Sequence, residues 1–181
     1  MTQEVVRTPA EGAAFDWRMS MASIERRGPF SDFSGYARTM VLLAGGGIRL
    51  RSAGVPDMLL RRPGDLIRFD GALAVQCDLL GGSCRDLNLM VARRLGDAAA
   101  RVEFVSRHPV LQVTSGRTQV FFCVAGAASI AYGDAQTAVL QQWDAAVAEP
   151  GDACIRIEAS DGASGVARDD ARIFIAEIPG P

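Results

Sequence analysis

The chain contains no lysine, since all 19 of its basic residues are arginine. It has one histidine, His108, and no C-x-x-C pair among its four cysteines, Cys77, Cys84, Cys123 and Cys154. It also lacks any apolar run of about 18 residues, the length a membrane-spanning helix needs. Each absence removes a class of function. One imidazole without paired thiols does not assemble the three or four ligands of a zinc or iron centre. A formal net charge of −2 provides no global basic field for nucleic acid or an anionic membrane. The cysteines lie in or beside apolar runs, where a thiol behaves as a small hydrophobe. Met1 to Glu11 is polar and has no apolar signal-peptide core. A cytoplasmic, reducing location without disulfides is therefore expected. The arginine bias fits GC-rich codon usage. It also fits guanidinium forks on carboxylates, so composition alone singles out no arginine.

What is present is short alternation. Phe15, Trp17, Met19 and Met21 alternate with Asp16, Arg18 and Ser20, a strand with one apolar face. The stretch Gly28-Pro29-Phe30-Ser31-Asp32-Phe33-Ser34-Gly35 is rich in turn formers. Thr39 to Ala44 is an apolar run that stops at Gly45-Gly46-Gly47. Val75, Cys77 and Leu79 alternate up to Gly81-Gly82, and Asp86, Asn88 and Met90 alternate with Leu87 and Leu89. The second half repeats this character, from Val102 to Val105 through to Phe174 and Ile178. Many short strands split by Gly and Asp predict an all-β barrel or sandwich. The best helix candidate is Asp97 to Arg101, at the link between the halves.

The halves resemble each other. Leu43-Ala44-Gly45 and Val124-Ala125-Gly126 end apolar runs 81 positions apart. Gly71 and Gly151 are 80 apart, as are Gly82 and Gly162. A duplication predicts two small barrel units, 1–96 and 97–181, packed closely as one compact unit, with two halves of one large sandwich as the alternative.

Four separated blocks also resemble the HutD/Ves family. They are Trp17-Arg18-Met19-Ser20-Met21-Ala22, the Gly28 to Thr39 stretch, Arg68-Phe69-Asp70-Gly71, and Asp86-Leu87-Asn88-Leu89-Met90. They cover about residues 15 to 95. The resemblance implies a bicupin fold, in agreement with the repeat. It also implies association with histidine-utilisation operons, where the HutD branch is thought to moderate the pathway, with binding of an intermediate such as formylglutamate or urocanate as the suggested means. The Ves branch is linked to stress response. No firmly assigned enzyme activity accompanies the family. Typical cupins hold a metal with an H-x-H pair, a later Glu and a third His. That pattern is absent here, so no metal or cofactor is expected, and His108 is read as structural.

Catalytic motifs give no lead. Gly-x-Ser-x-Gly, a P-loop and a G-x-G-x-x-G between strand and helix are all missing. Binding residues are better candidates. Arg18 and Ser20 share a strand face, as do Asp86, Asn88 and Met90, and Arg38 opens a strand after the Ser31–Gly35 loop. Such polar residues most often face water. On a barrel interior they need partners or a ligand. Arg18 and Arg38 are expected to hold a carboxylate, and Asp86 and Asn88 to read an amide, formyl or amine group. Trp17, Phe33 and Met90 would line an apolar wall, with Ser20 beside them. The leading expectation is a metal-independent receptor for a small organic acid. Alternatives are an isomerase or hydrolase using Asp86, and a protein-interaction module without a pocket ligand. A homodimer would cover long edge strands.

Overall fold

Alternating sequence builds strands because successive side chains of a pleated ribbon point to opposite faces. The computed structural model describes residues 1–12, 14–105, 111–113, 116–132, 136–150, 155–159 and 171–180. His108, Cys154 and the repeat markers Gly151 and Gly162 lie outside the described residues.

The chain divides into two compact units, Met1–Asp97 and Ala98–Gly180. The first contains β1 (Thr2–Thr8), β2 (Trp17–Ile24), β3 (Gly28–Pro29), β4 (Tyr36–Gly45), β5 (Ile48–Arg51), β6 (Met58–Leu60), β7 (Leu66–Asp70), β8 (Gln76–Leu79) and β9 (Cys84–Ala92). One sheet runs β1-β2-β9-β4-β7 and the other β3-β8-β5-β6. The second unit contains β10 (Ala99–Val105), β11 (Leu111–Val113), β12 (Thr118–Ala125), β13 (Ala128–Tyr132), β14 (Gln136–Leu140), β15 (Ala145–Ala148), β16 (Ile155–Ala159) and β17 (Ala171–Ile178). Its sheets run β10-β17-β12-β15 and β11-β16-β13-β14.

The duplication is explicit in this order. Exchanging β2, β9, β4 and β7 for β10, β17, β12 and β15 reproduces one sheet. Exchanging β3, β8, β5 and β6 for β11, β16, β13 and β14 reproduces the other. Among the described residues, β1 is the one strand of the first unit without a counterpart in the second. The irregularities repeat too. The β4–β9 pairing slips between Leu42 and Ala44, and the β12–β17 pairing between Cys123 and Ala125. Both slips lie just ahead of a glycine with positive φ, Gly45 at 105° and Gly126 at 75°. A bulge takes up one extra residue and bends the strand, so its repetition carries the same bend into both units.

Each core lies between the two sheets of its unit, in a jelly-roll-like arrangement. In the first, Met40, Leu42 and Phe69 meet Ile48, Leu50 and Cys77 from the facing sheet. In the second, Phe121, Ile173 and Ile175 meet Ile130, Ile155 and Ile157. Full burial of such a side chain contributes roughly 1.5–3 kcal/mol, so these rows supply the main stabilising term. The Gly45-Gly46-Gly47 turn follows from close backbone approach. A Cβ on Gly46 would lie 2.1 Å from the Gly81 carbonyl oxygen.

One local expectation is corrected. Asp97 to Arg101 is not helical. A single 3₁₀ turn spans Arg93–Leu95, Gly96 follows at φ 89°, and Ala99–Val105 forms β10. A complete row of pairs with β17, from Ala99↔Glu177 to Val105↔Ala171, outweighs the weak helical preference of five residues. The polar start forms β1, whose mostly exposed residues hide the alternation. Among the described residues no helix is long and apolar enough to cross a membrane.

Candidate functional site

Cross-strand register assembles the site in rows across β2, β9 and β4. Arg18 and Arg38 both pair with Met90 and so flank it. In the next row Ser20 and Met40 flank Asn88, and in the third Ala22 and Leu42 flank Asp86. Directly paired residues share a sheet face, so all these side chains point into the first unit. On β4 the face turns apolar after Arg38, at Met40 and Leu42. On β2 and β9 it stays polar through Ser20, Asn88 and Asp86. One part of the interior is therefore filled by the core. The rest is a cavity of about 760 Å³ lined by Arg18, Ser20, Phe33, Arg38, Asp86, Asn88 and Met90 among others. That is the size range of small-molecule pockets.

Arg38 is the centre of the cavity wall. It is only 5% exposed. Its Nη2 donates to Asn88 Oδ1 at 2.7 Å, and Asn88 Nδ2 donates in turn to Asp86 Oδ2. Three rings surround its guanidinium: Phe69 at 5.0 Å, Phe30 at 5.2 Å and Phe33 at 5.4 Å from carbon to ring centroid. Desolvated contacts of this kind contribute on the order of 2 kcal/mol each. Burial lowers the Arg38 pKa to about 10, against the opposing pull of Asp86 and with the push of Arg18. The group remains a cation at neutral pH. Arg18 stands over Phe15 at 5.2 Å and Phe33 at 5.5 Å, so Phe33 lies against both arginines.

Asp86 is 1% exposed, and burial pushes its carboxyl up to about 7. The Asn88 hydrogen bond and the Arg38 charge oppose that rise without cancelling it. The physical reason is incomplete solvation, because Asp86 Oδ1 is buried without a hydrogen-bond partner among the described residues. The Nε atoms of Arg18 and Arg38 are in the same condition. Buried donors and acceptors of this kind cost about 1–3 kcal/mol each when left unmade. A ligand that satisfies them recovers that cost. Cys77 also lines the cavity, but burial pushes its thiol up to about 11, so it is no nucleophile at neutral pH.

The loop that carries Phe30 and Phe33 is tied to the strands. Phe30 N–H donates to the Val75 carbonyl and Phe33 N–H to the Gly71 carbonyl, both at 2.9 Å. Gly71 N–H returns a bond to Tyr36 O at 2.9 Å. A Cβ on Gly71 would sit 2.3 Å from Phe33 O and 2.8 Å from Tyr36 O, so only glycine fits this brace. Asp32 Oδ1 accepts from the Ser34 N–H at 2.8 Å and its hydroxyl at 2.7 Å, closing the loop locally. Tyr36 stacks on Phe15 at 4.3 Å and donates its hydroxyl to Phe15 O at 3.1 Å.

Seven of the eight residues singled out from sequence line this cavity; Trp17 does not. Trp17 pairs with Val91, on the sheet face opposite Arg18 and Met90. It is a buried packing residue, and strand alternation forbids it from sharing a wall with Arg18. The reading missed Phe30, Phe69 and Cys77. Phe30 stood within a motif already noted. Phe69 reaches Arg38 through the β4–β7 pairing, for which no local signal exists.

The donor set does not fit a metal ion. The cavity lining carries the carboxyls of Asp86 and Glu25 and the Cys77 thiol against four guanidiniums, Arg18, Arg26, Arg27 and Arg38, which repel a cation. Among the described residues no three His, Cys, Asp or Glu gather.

Comparisons with known proteins agree with this architecture. A family model described as HutD matches residues 1–165. An uncharacterised 21.2 kDa protein in the hutC 3′ region of Pseudomonas putida is 46% identical over 92 residues, half of this chain and 48% of that protein. Protein Ves of Citrobacter koseri is 35% identical over 126 residues, 66% of this chain and 65% of that protein. The chain thus spans about half to two thirds of the length of these relatives. A conserved protein of unknown function from Pseudomonas aeruginosa PAO1 superposes with a TM-score of 0.85 at 30% identity, covering 99% of this chain and 89% of that one. HutD from Pseudomonas fluorescens SBW25, in a formate condition, gives 0.75 at 26% identity with the same coverage. A cupin 2 barrel protein from Leptotrichia buccalis shares the fold at 8% identity, with a TM-score of 0.59 and coverage of 98% of this chain and 88% of that one.

Proposed function

This chain belongs to the HutD family, and from that premise we propose that its first unit is a metal-independent receptor for a small organic acid. The observation that carries the reading is the pair of cations on one cavity wall. Half-buried Arg18 and buried Arg38 flank Met90 and line the cavity, and each has a buried Nε without a hydrogen-bond partner among the described residues. The buried carboxyl on the same sheet face, Asp86, is itself pushed toward neutrality. An anion is what such a site lacks. A carboxylate accepts from two N–H groups of one guanidinium in a fork that no cation or neutral amide reproduces. Asn88 and a protonated Asp86 then offer hydrogen bonds to an amide, formyl or amine group further along the ligand.

The relative encoded in the hutC 3′ region supports a place in histidine or amino-acid catabolism. Formylglutamate and urocanate are the first acids to test. A thermal-shift series with these two, histidine and glutamate, with and without EDTA, tests the reading. One acid should stabilise the protein equally in both. In Arg38→Ala that stabilisation should vanish, with affinity reduced about 100-fold for a charge-assisted bond of up to about 3 kcal/mol. Stabilisation that survives Arg38→Ala would sink the proposal.

One observation favours a second reading, turnover. A carboxyl titrating near 7 is suited to general acid or base work. Conversion of any of these acids, lost in Asp86→Asn, would establish an isomerase or hydrolase instead of a receptor.

A further inference from the structure

The second unit carries charge of the opposite sign at the positions that match the first unit's arginines. The shared bulge fixes the equivalence. Arg18, Met90, Arg38 and Phe69 form one cross-strand row in the first unit. Ala99, Glu177, Gln119 and Ala148 form the matching row in the second. In the rows that follow, Arg101 stands in place of Ser20 and Glu103 in place of Ala22. Phe121, Ile173 and Ile175 lie on the same sheet face and belong to the second core, so this face looks into the second unit.

Two properties are inverted in the matching row. The first is sign. An alanine and an amide replace the two arginines, and a carboxylate replaces the methionine between them. Arg101 Nε donates to Glu103 Oε1 at 2.9 Å, while its Nη1 lies 3.6 Å from Glu177 Oε1. The second distance is too long for a hydrogen bond, so the Glu177 carboxylate, 27% exposed, keeps its acceptor capacity. Glu103 and Glu177 against Arg101 leave the cluster anionic. The second property is space. Ala99 and Ala148 replace the Arg18 guanidinium and the Phe69 ring at the two ends of the row, which leaves room for a small molecule beside Glu177 and Gln119.

Gln119 adds a buried group that lacks a partner. It is 3% exposed, it stands directly across from Glu177, and its Nε2 makes no hydrogen bond among the described residues. Buried amide donors are nearly always paired, so this one calls for an acceptor from outside the chain. Glu177 calls for a cation. A metal ion does not meet both demands, since among the described residues no three His, Cys, Asp or Glu gather and an N–H donor repels a cation.

We infer that the second unit binds a small primary ammonium compound that carries an oxygen acceptor close to the nitrogen, an amino alcohol being the simplest. The ammonium group sits on Glu177, with Glu103 beside it, and the oxygen accepts from Gln119 Nε2. This site uses no residue of the first unit and does not depend on the acid-receptor reading.

Titration of the full chain with ethanolamine and ethylamine, by calorimetry and ligand-observed NMR, tests the inference, because the two differ only in the hydroxyl. Ethanolamine should bind about threefold to tenfold tighter, the factor for one hydrogen bond to a neutral buried donor. Glu177→Gln should weaken both amines by roughly tenfold or more, as loss of a charged partner does. Gln119→Leu should bring ethanolamine down to the ethylamine level and leave ethylamine unchanged. Ala99→Phe fills the open end of the row from an exposed position, so it should block both amines while the melting temperature stays that of the parent. No binding of either amine at tens of millimolar would overturn the inference, as would binding that Glu177→Gln and Ala99→Phe leave unchanged. Equal affinity for the two amines would overturn it as well, since Gln119 would then play no part.

Discussion

The two units share one strand order and one bulge position, yet they fill their interiors differently. The comparison can be made position by position, because the bulges fix the register 81 residues apart. Asp86 and Asn88 on β9 pair with Leu42 and Met40, while Ile173 and Ile175 on β17 pair with Cys123 and Phe121. Arg38 corresponds to Gln119, which is 3% exposed and keeps an unpartnered Nε2. In the second unit Ile173 and Ile175 hold the β17 positions of these rows, beside Cys123 and Phe121 on β12 and Glu103 and Arg101 on β10. In the first unit Asp86 and Asn88 stand in place of the two isoleucines, and these two residues line the cavity. The jelly roll therefore constrains alternation and volume, not polarity.

The most severe test is to convert one unit into the other. Asp86→Ile, Asn88→Ile and Arg38→Gln together should abolish acid binding and raise the apo stability by about 1–4 kcal/mol, as when buried polar groups give way to packed aliphatic ones. Denaturant unfolding measures it, and a less stable triple variant would refute the equivalence of the rows. Next in size is the pH response. Asp86 titrates near 7 in the folded chain and near 4 when unfolded, so between those values the folded state holds the extra proton. Stability from this group is thus full at low pH and lost as pH rises through 7, on the order of 2 kcal/mol between pH 5 and 7. Melting curves should show the decline in the parent and not in Asp86→Asn. Acid binding should weaken over the same interval, since an ionised Asp86 repels the anion.

A smaller effect is expected at the loop brace. Gly71→Ala forces Phe33 O away, and with it the ring that touches both arginines. Affinity should drop about tenfold, in line with one weakened charged contact of about 1.4 kcal/mol. Unchanged affinity would show the brace to be irrelevant to the site. The smallest change belongs to Trp17→Phe. Its face is not the cavity face, so acid affinity should stay within about twofold while stability falls by about 1 kcal/mol for the altered packing.

Much of this was legible because it is local. Asp86, Asn88 and Met90 sit at spacing two between leucines, and no strand in water needs that pattern on an interior face. The repeat was legible because glycine marks the bulge in both units. Trp17 was misplaced by proximity in a motif, although the alternation that placed Arg18 excludes it. The place of Phe69 beside Arg38 was invisible, since it depends on the pairing of β4 with β7, which no short window encodes. The supposed helix at Asp97 failed for the same reason, as its residues answer to β17, some 75 positions away. The polar β1 strand carried no apolar period to read.

The rings around Arg38 bear on how the site recognises a ligand as well as on how it is held. A free arginine side chain samples many rotamers, and pinning it costs up to about 2 kcal/mol of entropy at the moment of binding. Here folding has already met that cost. Phe30, Phe33 and Phe69 fix the guanidinium plane, and Asn88 occupies one of its donors, so an incoming acid finds a rigid fork in one orientation. Complexes formed on such a preset surface should associate without a slow rearrangement step. They should differ from one another mainly in how long each acid stays.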